Sequence, residues 1–146
     1  MFQNILVATD GSAFSNKAVS TAARLANSLH AKLLVLHVRS PIESPHHVEG
    51  GALTQLGGKI AQEIEDEERK LLDAAMEIAA ADGTTAETAF VAGYSIFDAI
   101  IRIAQEQQCD LIVMASHGKR GLTGLLLGSE TQKVLAHTTL PVLIAR

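Results

Sequence analysis

The strongest constraint on the fold is one segment, from Leu111 to Ser129. It opens with the uninterrupted apolar run 111–115, which is typical of a strand buried on both faces. Four glycines follow, at positions 118, 121, 124 and 128. Ser129, with Gln132 three residues later, has the capping-box pattern of a helix N-terminus. Because backbone N–H groups at such a helix start attract anions, the segment predicts a loop that holds the phosphates of a nucleotide.

The rest of the chain alternates strand and helix patterns. Further apolar runs predict strands over 5–8, 32–38, 85–91 and 141–145. Helical spacing predicts helices over 14–29, 58–81, from 95 onward and over 130–137, with caps at Ser12 and at the Ser95–Asp98 capping box. Five strands alternating with four helices predict a single α/β domain, residues 1–146. Its open parallel sheet carries helices on both faces, with right-handed crossovers.

Two of the predicted strands have the features of sheet edges. Thr85–Val91 alternates between two faces, which indicates that one face is wetter. Pro141 stands at the first residue of the last strand, a position that suits an edge because proline donates no ladder hydrogen bond. Since an apolar open edge invites pairing with another chain, the C-terminal edge strand predicts a homodimer.

Composition excludes several classes of protein. The formal net charge of −4 argues against nucleic acid as the main partner. There is no stretch of about 18 apolar residues for a membrane span and no secretory pattern, so we expect a cytoplasmic protein. The single cysteine, Cys109, permits neither an internal disulfide nor a cysteine-based zinc site.

The familiar catalytic and metal-binding motifs are absent. No G-x-G-x-x-G follows the first strand, and Gly118-Lys119 is followed by Arg120 rather than by the Ser or Thr of a P-loop. No G-x-S-x-G and no pair of acids near the loop suggest a catalytic group. Glu43, His46, His47 and Glu49 match no metal-ligand spacing and are interpreted as a solvated loop within 39–55. We therefore predict no catalytic residue and no metal site.

Asp10 is the candidate ligand on the opposite side of the glycine loop. It follows the first strand, and Ala115 ends the fourth; if those strands are neighbours, Asp10 faces the loop at the switch point of the sheet. Its carboxylate would then bond a ribose hydroxyl or an adenine edge, or it would cap the following helix; the two roles are compatible. His117, Lys119 and Arg120 are either phosphate contacts or ordinary surface residues.

The sequence resembles the universal stress protein family over nearly its whole length. The resemblance rests on Ile5-Leu-Val-Ala-Thr-Asp-Gly-Ser12, on Leu36-His-Val38, on Met114-Ala-Ser-His-Gly118 with Gly128-Ser129, and on Leu140-Pro-Val-Leu-Ile144. The nucleotide-binding branch carries Gly, two residues, Gly, nine residues, Gly, then Ser or Thr. This chain keeps Gly118, Gly128 and Ser129 but has Ala115 at the first glycine.

The resemblance implies a Rossmann-like sheet with strand order 3-2-1-4-5, a dimer, and ATP (or AMP or ADP), with Mg²⁺, as ligand. It implies that Ala8, Thr9 and Asp10 border the adenosine and that Val38 offers backbone atoms to adenine. The phosphates would be held by Ser116, His117, Gly118, Gly128, Ser129, Glu130 and Thr131. Met114 and Ala115 are also expected among the residues that bind the nucleotide. The methyl group of Ala115 is expected to narrow the approach at the first position, which bears on affinity more than on fold.

Three functions follow from this interpretation. The first is an ATP-binding stress protein whose nucleotide is a ligand or signal. The second is a dimeric interaction module of the same fold with no nucleotide bound. The third is an enzyme of the adenine-nucleotide-cleaving type, which the sequence favours least because Asp10-Gly11-Ser12 is not the Ser-Gly-Gly-x-Asp-Ser loop of such enzymes. At most, slow ATP hydrolysis is expected.

Overall fold

The computed structural model describes residues 1–40, 56–118 and 126–146, and of residues 56–60 the backbone. The strands are β1 (Asn4–Ala8), β2 (Lys32–Arg39), β3 (Ala86–Ala92), β4 (Leu111–Ala115) and β5 (Val142–Ala145). The helices are α1 (Ala13–Leu29), α2 (Leu56–Ala81), α3 (Ile96–Glu106) and α4 (Ser129–His137). Each predicted element is present, with boundaries that differ by a few residues at most.

The strands form one parallel sheet in the order β3-β2-β1-β4-β5, which confirms the predicted α/β topology. Strand β1 pairs with β2 on one side and with β4 on the other, with Ile5 opposite Leu33 and Leu111. The order reverses between β1 and β4. In such sheets this reversal opens a crevice beyond the carboxyl ends of the strands.

Two separate cores cover the two faces of the sheet. Alternate residues of each strand point to opposite faces, so Ile5 and Val7 face one core and Leu6 faces the other. The first core packs α1 and α2 against the sheet, largely through alanines such as Ala22 and Ala75. The second packs α3 and α4 through larger side chains, including Ile100 and Val134. Because small residues line α1, that helix lies close to the strands.

The buried faces of α1 and α2 are rotated from the predicted ones. Helical spacing predicts a buried stripe on α1 made of Phe14, Ala18, Ala22, Leu25 and Leu29. Ala18 and Ala22 are buried as predicted, but Phe14 and Leu29 are exposed, and Ser15 and Val19 are buried. Helical spacing alone left this open, since alanines on several faces of α1 allow more than one apolar stripe. On α2 the same spacing predicts a buried stripe of Ile60, Ile64, Leu71, Ala75 and Ile78. Ala75 is buried as predicted, together with the apolar Leu72 and Ala79, whereas Leu71 and Ile78 are only partly buried. Ile60 lies outside the described side chains.

The charged run within residues 63–70 predicts a mostly solvated face of α2, and Glu68 departs from this prediction. Glu68 is buried and meets two basic side chains of β2: His37 through Nδ1, and Arg39 through Nη1 at 3.0 Å. The carboxylate therefore links the middle of α2 to the carboxyl end of β2. Buried carboxylates are tolerated when they are paired and hydrogen-bonded in this way.

Both helix caps predicted from local sequence can be compared with the structure. Ser12 caps α1 as expected, and its Oγ accepts a hydrogen bond from Ser15 N at 3.2 Å. Ser95 is the N-cap of α3, but its side chain makes no capping hydrogen bond, so the predicted capping box is wrong. A carboxylate from α4, that of Glu130, instead accepts a hydrogen bond from Phe97 N in the first turn of α3.

The two edge predictions are confirmed, since β3 and β5 are the outer strands. Within the described ranges, no helix is both long and apolar enough to cross a bilayer. The predicted loop with Glu43, His46, His47 and Glu49 lies outside the described residues.

Candidate functional site

The carboxyl ends of β1 and β4 bring Asp10 and Gly118 together. A Cβ atom added to Gly118 would lie 2.7 Å from Asp10 Oδ2, closer than any real contact of that kind. The two residues are far apart in sequence and meet because β1 and β4 are parallel neighbours. This confirms that Asp10 faces the segment that follows the fourth strand.

The two carboxylate oxygens of Asp10 have different surroundings. Oδ1 accepts hydrogen bonds from Ser12 N at 2.9 Å and from Ser15 Oγ at 2.8 Å, which supports the first turn of α1. Oδ2 is directed at Gly118. One oxygen of Asp10 therefore supports the start of α1, as one of the two predicted roles required, although the N-cap residue itself is Ser12. The other oxygen lies beside Gly118.

Thr9 belongs to the framework under this site. Its N–H donates to Leu36 O at 2.9 Å, its Oγ1 lies 3.1 Å from Ser15 Oγ, and it accepts from Gly11 N at 3.2 Å. Gly11 has a φ of +79°, a conformation that favours glycine, and it turns the chain from β1 into α1. The buried Thr9 side chain thus holds the turn, while Ala8 packs beside the second core.

Helix α4 starts directly above the end of β4. Gly128 N donates to Ser116 O at 2.6 Å, and Thr131 Oγ1 donates to Ala115 O at 2.8 Å in a buried bond. Gly128, not Ser129, is the N-cap, so the cap predicted at Ser129 is displaced by one residue. A glycine cap brings no side-chain oxygen to the first N–H groups of the helix.

The two glycines of the motif contact the chain itself. A Cβ at Gly128 would lie 3.3 Å from Ser116 O and 3.4 Å from His117 Cα. Any side chain at Gly128 would press on the backbone that its own N–H binds. The absence of a side chain at this position therefore has a packing reason, in addition to any ligand.

Ala115 does not narrow the site as the sequence suggested. The residue is 8% exposed, and its methyl group belongs to the core on the α1 side of the sheet. Its φ is not positive, so an L-residue is unstrained there. Alanine at the first glycine position of the motif is consequently compatible with the backbone at the end of β4.

Glu130 turns away from the start of its own helix. Its Oε2 accepts a hydrogen bond from Phe97 N at 3.0 Å, in the first turn of α3. The predicted role of Glu130 at the phosphates can accordingly involve its backbone, while its carboxylate caps another helix. No local pattern could have found this contact, because Phe97 and Glu130 are 33 residues apart.

His117 lies at the rim of the site and packs against α1. Its ring is 5.5 Å from the ring of Phe14, and its Nδ1 is 3.2 Å from Ser116 Oγ. Phe14 was expected in the core, and its exposed ring instead borders the loop after β4. Phe14 and Ser15 were not predicted as neighbours of the site; for Ser15, a polar residue on an apolar helix face was the available signal.

Two predicted residues contribute buried side chains to the second core. Val38 pairs with Val91 in β3, and Met114 pairs with Ile144 in β5. Only their backbone atoms could border a ligand. Lys119 and Arg120 lie outside the described residues.

The helix starts differ in how their N–H groups are capped. Helix α1 has the Ser12 side chain, and α3 has the Glu130 carboxylate. Among the three helix starts whose caps the structure describes, only α4 has no side-chain cap. Its first N–H groups lie beside Ser116 and carry the positive end of the helix dipole. This arrangement can hold a phosphate or another anion.

The whole chain, residues 1–146, matches the Universal stress protein family. Universal stress protein YxiE of Bacillus subtilis is 38% identical over 149 residues, and the alignment covers 100% of both chains. A universal stress protein of Thermus aquaticus is 32% identical over 146 residues, again with 100% of both chains covered.

Solved structures have the same fold. The hypothetical protein MJ0577 superposes with a TM-score of 0.82 at 24% identity, over 99% of this chain and 96% of that one. A universal stress protein crystallised in complex with cAMP superposes with a TM-score of 0.69 at 27% identity, over 98% and 95% of the two chains.

Proposed function

Because the chain belongs to the universal stress protein family, we propose that it binds an adenine nucleotide at the carboxyl ends of β1 and β4. The proposed ligand is ATP with Mg²⁺, or AMP or ADP, acting as a ligand or signal in a cytoplasmic stress response. The similar protein crystallised with cAMP supports the adenine nucleotide as the ligand class.

The start of α4 is the observation that carries the proposal. The backbone N–H groups of Ser129, Glu130 and Thr131 belong to the first turn of a helix whose cap, Gly128, has no side chain. A phosphate placed there meets both the N–H donors and the positive end of the helix dipole. Since α1 and α3 are capped by side chains, α4 is the favoured start for an anion.

The rest of the nucleotide would lie toward β1 and β2. Asp10 Oδ2 would accept a hydrogen bond from a ribose hydroxyl, and the backbone near Val38 would contact adenine. Mg²⁺ would enter with the nucleotide, since the described residues form no cluster of three or more metal-ligating side chains. The ion would neutralise phosphate charge while keeping most of its own water ligands.

Titration calorimetry with ATP and with adenosine tests this proposal. We expect a Kd for Mg-ATP that is micromolar or weaker. Asp10→Ala should weaken ATP and adenosine alike, because both ligands carry the ribose. Asp110→Ala is the matched control. This aspartate accepts hydrogen bonds from Gln3 N at 2.8 Å and from Asn4 N at 3.0 Å, at the amino ends of β1 and β4.

Two results would overturn the proposal. If wild-type protein gives no heat and no thermal shift with millimolar ATP, the interaction module with no nucleotide bound becomes the better account. If Asp110→Ala weakens ATP binding as much as Asp10→Ala does, the ligand does not bind at the carboxyl ends of β1 and β4. If Asp10→Ala and Asp110→Ala lose similar thermal stability, a weaker affinity for ATP in Asp10→Ala alone reflects the lost ligand contact and not structural damage.

A further inference from the structure

The start of α3 is capped by a residue of α4. Phe97 N, in the first turn of α3, donates to Glu130 Oε2 at 3.0 Å, while Ser95 makes no side-chain capping bond. A carboxylate is well placed there, because the positive end of a helix dipole stabilises it. The contact ties the first turn of α3 to the first turn of α4.

Neighbouring side chains reinforce this connection. Lys133 Nζ lies 3.4 Å from Glu130 Oε1 and 5.8 Å from the centre of the Phe97 ring. The Phe97 ring also packs against His137, with 4.8 Å between ring centres. We call Phe97, Glu130, Lys133 and His137 the α3–α4 clamp. On α4, the clamp residues extend from the first turn of the helix to its last residue, His137.

The clamp completes the fixation of the helix start that would hold phosphate. Gly128 N and Thr131 Oγ1 bond to the backbone of β4, which fixes the height of α4 above the strand. Glu130 adds a bond to a different element, α3, which fixes the tilt of α4. Because its N–H groups point along the helix axis, a change in tilt moves the donors away from a bound phosphate.

Glu130 also has a charge that must be kept away from phosphate. A carboxylate in the first turn of a helix is itself attracted to the N–H groups of that turn. If it turned back onto α4, it would compete with a phosphate for the same donors. The Phe97 N–H provides another partner for this carboxylate.

We propose that Glu130 is a positioning residue for the nucleotide phosphates: its bond to Phe97 N orients the start of α4 and keeps its own carboxylate off the phosphate donors. The inference rests on the proposed nucleotide function and assigns Glu130 no contact with the ligand through its side chain.

The test compares Glu130→Ala and Glu130→Gln, with ATP and adenosine as ligands. Glu130→Ala should raise the Kd for ATP about three- to tenfold, a shift of the size expected for a helix-terminus interaction, and leave adenosine unchanged. Glu130→Gln keeps an oxygen that can accept from Phe97 N and should restore ATP binding to within about twofold of wild type. Glu106→Ala, in the exposed ion pair with Arg102, is the control for removing a helix glutamate.

Amide hydrogen exchange at Phe97 gives a readout that needs no ligand. Exchange should be about tenfold faster in Glu130→Ala and near wild type in Glu130→Gln, because only alanine removes the acceptor. ATP binding by Glu130→Ala equal to wild type, or an equal loss for adenosine, would overturn the positioning role alone. If the wild-type protein binds no ATP, the proposed function fails, and the positioning role fails with it.

Discussion

At the residue scale, the site is built from side chains and glycines with double duties. Asp10 uses one oxygen to support α1 and directs the other at Gly118. Gly128 leaves the α4 start without a side-chain cap, and it also leaves room for the backbone of Ser116. A substitution at such positions changes local structure together with any ligand contact. Variants at such positions therefore need a matched structural control, as Asp10→Ala has in Asp110→Ala. Variants whose side chains point away from the site avoid this complication.

Ala115→Gly is such a variant. The methyl group lies in the core on the α1 side, so its removal opens no space beside a phosphate. We expect the Kd for ATP to stay within about a factor of ten of wild type, or ~1.4 kcal/mol. Stability should fall by about 0.5–1 kcal/mol, since glycine loses more backbone entropy on folding. Calorimetry and urea denaturation measure the two effects; a much larger gain in affinity would place the methyl group in the binding site.

At the element scale, side chains from distant parts of the chain fix the helices to the sheet. Glu68 connects α2 to β2 through His37 and Arg39, and Glu130 connects α4 to α3. The Glu68 connection lies toward the carboxyl end of β2, and the Glu130 connection lies at the start of α4. The elements around the candidate site are thus held by polar contacts as well as by apolar packing.

Removing the Glu68 carboxylate should be costly. Its side chain is 7% exposed, so Glu68→Ala leaves the buried His37 and the partly buried Arg39 without their shared acid. We expect a loss of about 3–5 kcal/mol in the free energy of unfolding. Glu67→Ala is the matched control: Glu67 also meets Arg39, at 3.5 Å, but is 59% exposed and should lose less than about 1 kcal/mol. Equal losses in urea denaturation would contradict a structural role for Glu68.

The outer strand β5 allows a sharp test of the expected dimer. Val142 and Ile144 pack against the second core, so charges there would damage the fold itself. Leu143 points to the other face and is 36% exposed. If two copies pair along β5, Leu143→Lys should shift a wild-type dimer toward a folded monomer in sedimentation equilibrium. A monomeric wild-type protein at high concentration would refute pairing through this strand.

At the scale of the whole molecule, the two cores pack on the same sheet, so we expect them to unfold together. The Cys109 thiol is a probe of this unfolding, because it is buried in the second core just before β4. Burial, and then the charge of Asp110, raise the pKa of the Cys109 thiol from 9.0 to about 11. The thiol is therefore neutral in the folded protein at neutral pH and a poor nucleophile.

Thiol labelling of Cys109 should accordingly follow unfolding. At pH 8 we expect modification by a disulfide reagent to be slow in the native protein and fast in denaturant. ATP at about a hundred times its Kd should slow labelling through the unfolded state about a hundredfold. Rapid labelling of the native protein, unaffected by denaturant, would show that the thiol is accessible in the folded state.

The same group predicts how stability changes at high pH. Between about pH 9 and 11 the unfolded thiol loses its proton while the folded thiol keeps it, so the folded state binds more protons. Stability contributed by this group should therefore fall as the pH rises through that window. Cys109→Ser should flatten the pH dependence of urea denaturation; an unchanged slope would assign it to other groups.

Much of the fold followed from the sequence alone. Apolar runs and helical spacing predicted the nine elements of the described residues. Alternation in 85–91 and the proline at position 141 marked the two edge strands. These signals are local, because each strand or helix carries the period of its own buried face. The proximity of Asp10 to the segment after β4 was also predicted, on the condition that β1 and β4 are neighbours, which they are.

The tertiary structure alone decided which groups meet across elements. The side chain that accepts from the first turn of α3 is that of Glu130 rather than that of the N-cap Ser95. Glu68 is buried rather than solvated, and the Ala115 methyl group belongs to a core. None of these has a local pattern, since each depends on how helices rotate and tilt on the sheet. Packing sets that rotation by fitting side chains from distant segments, so a partner many residues away can replace the one that local sequence suggests.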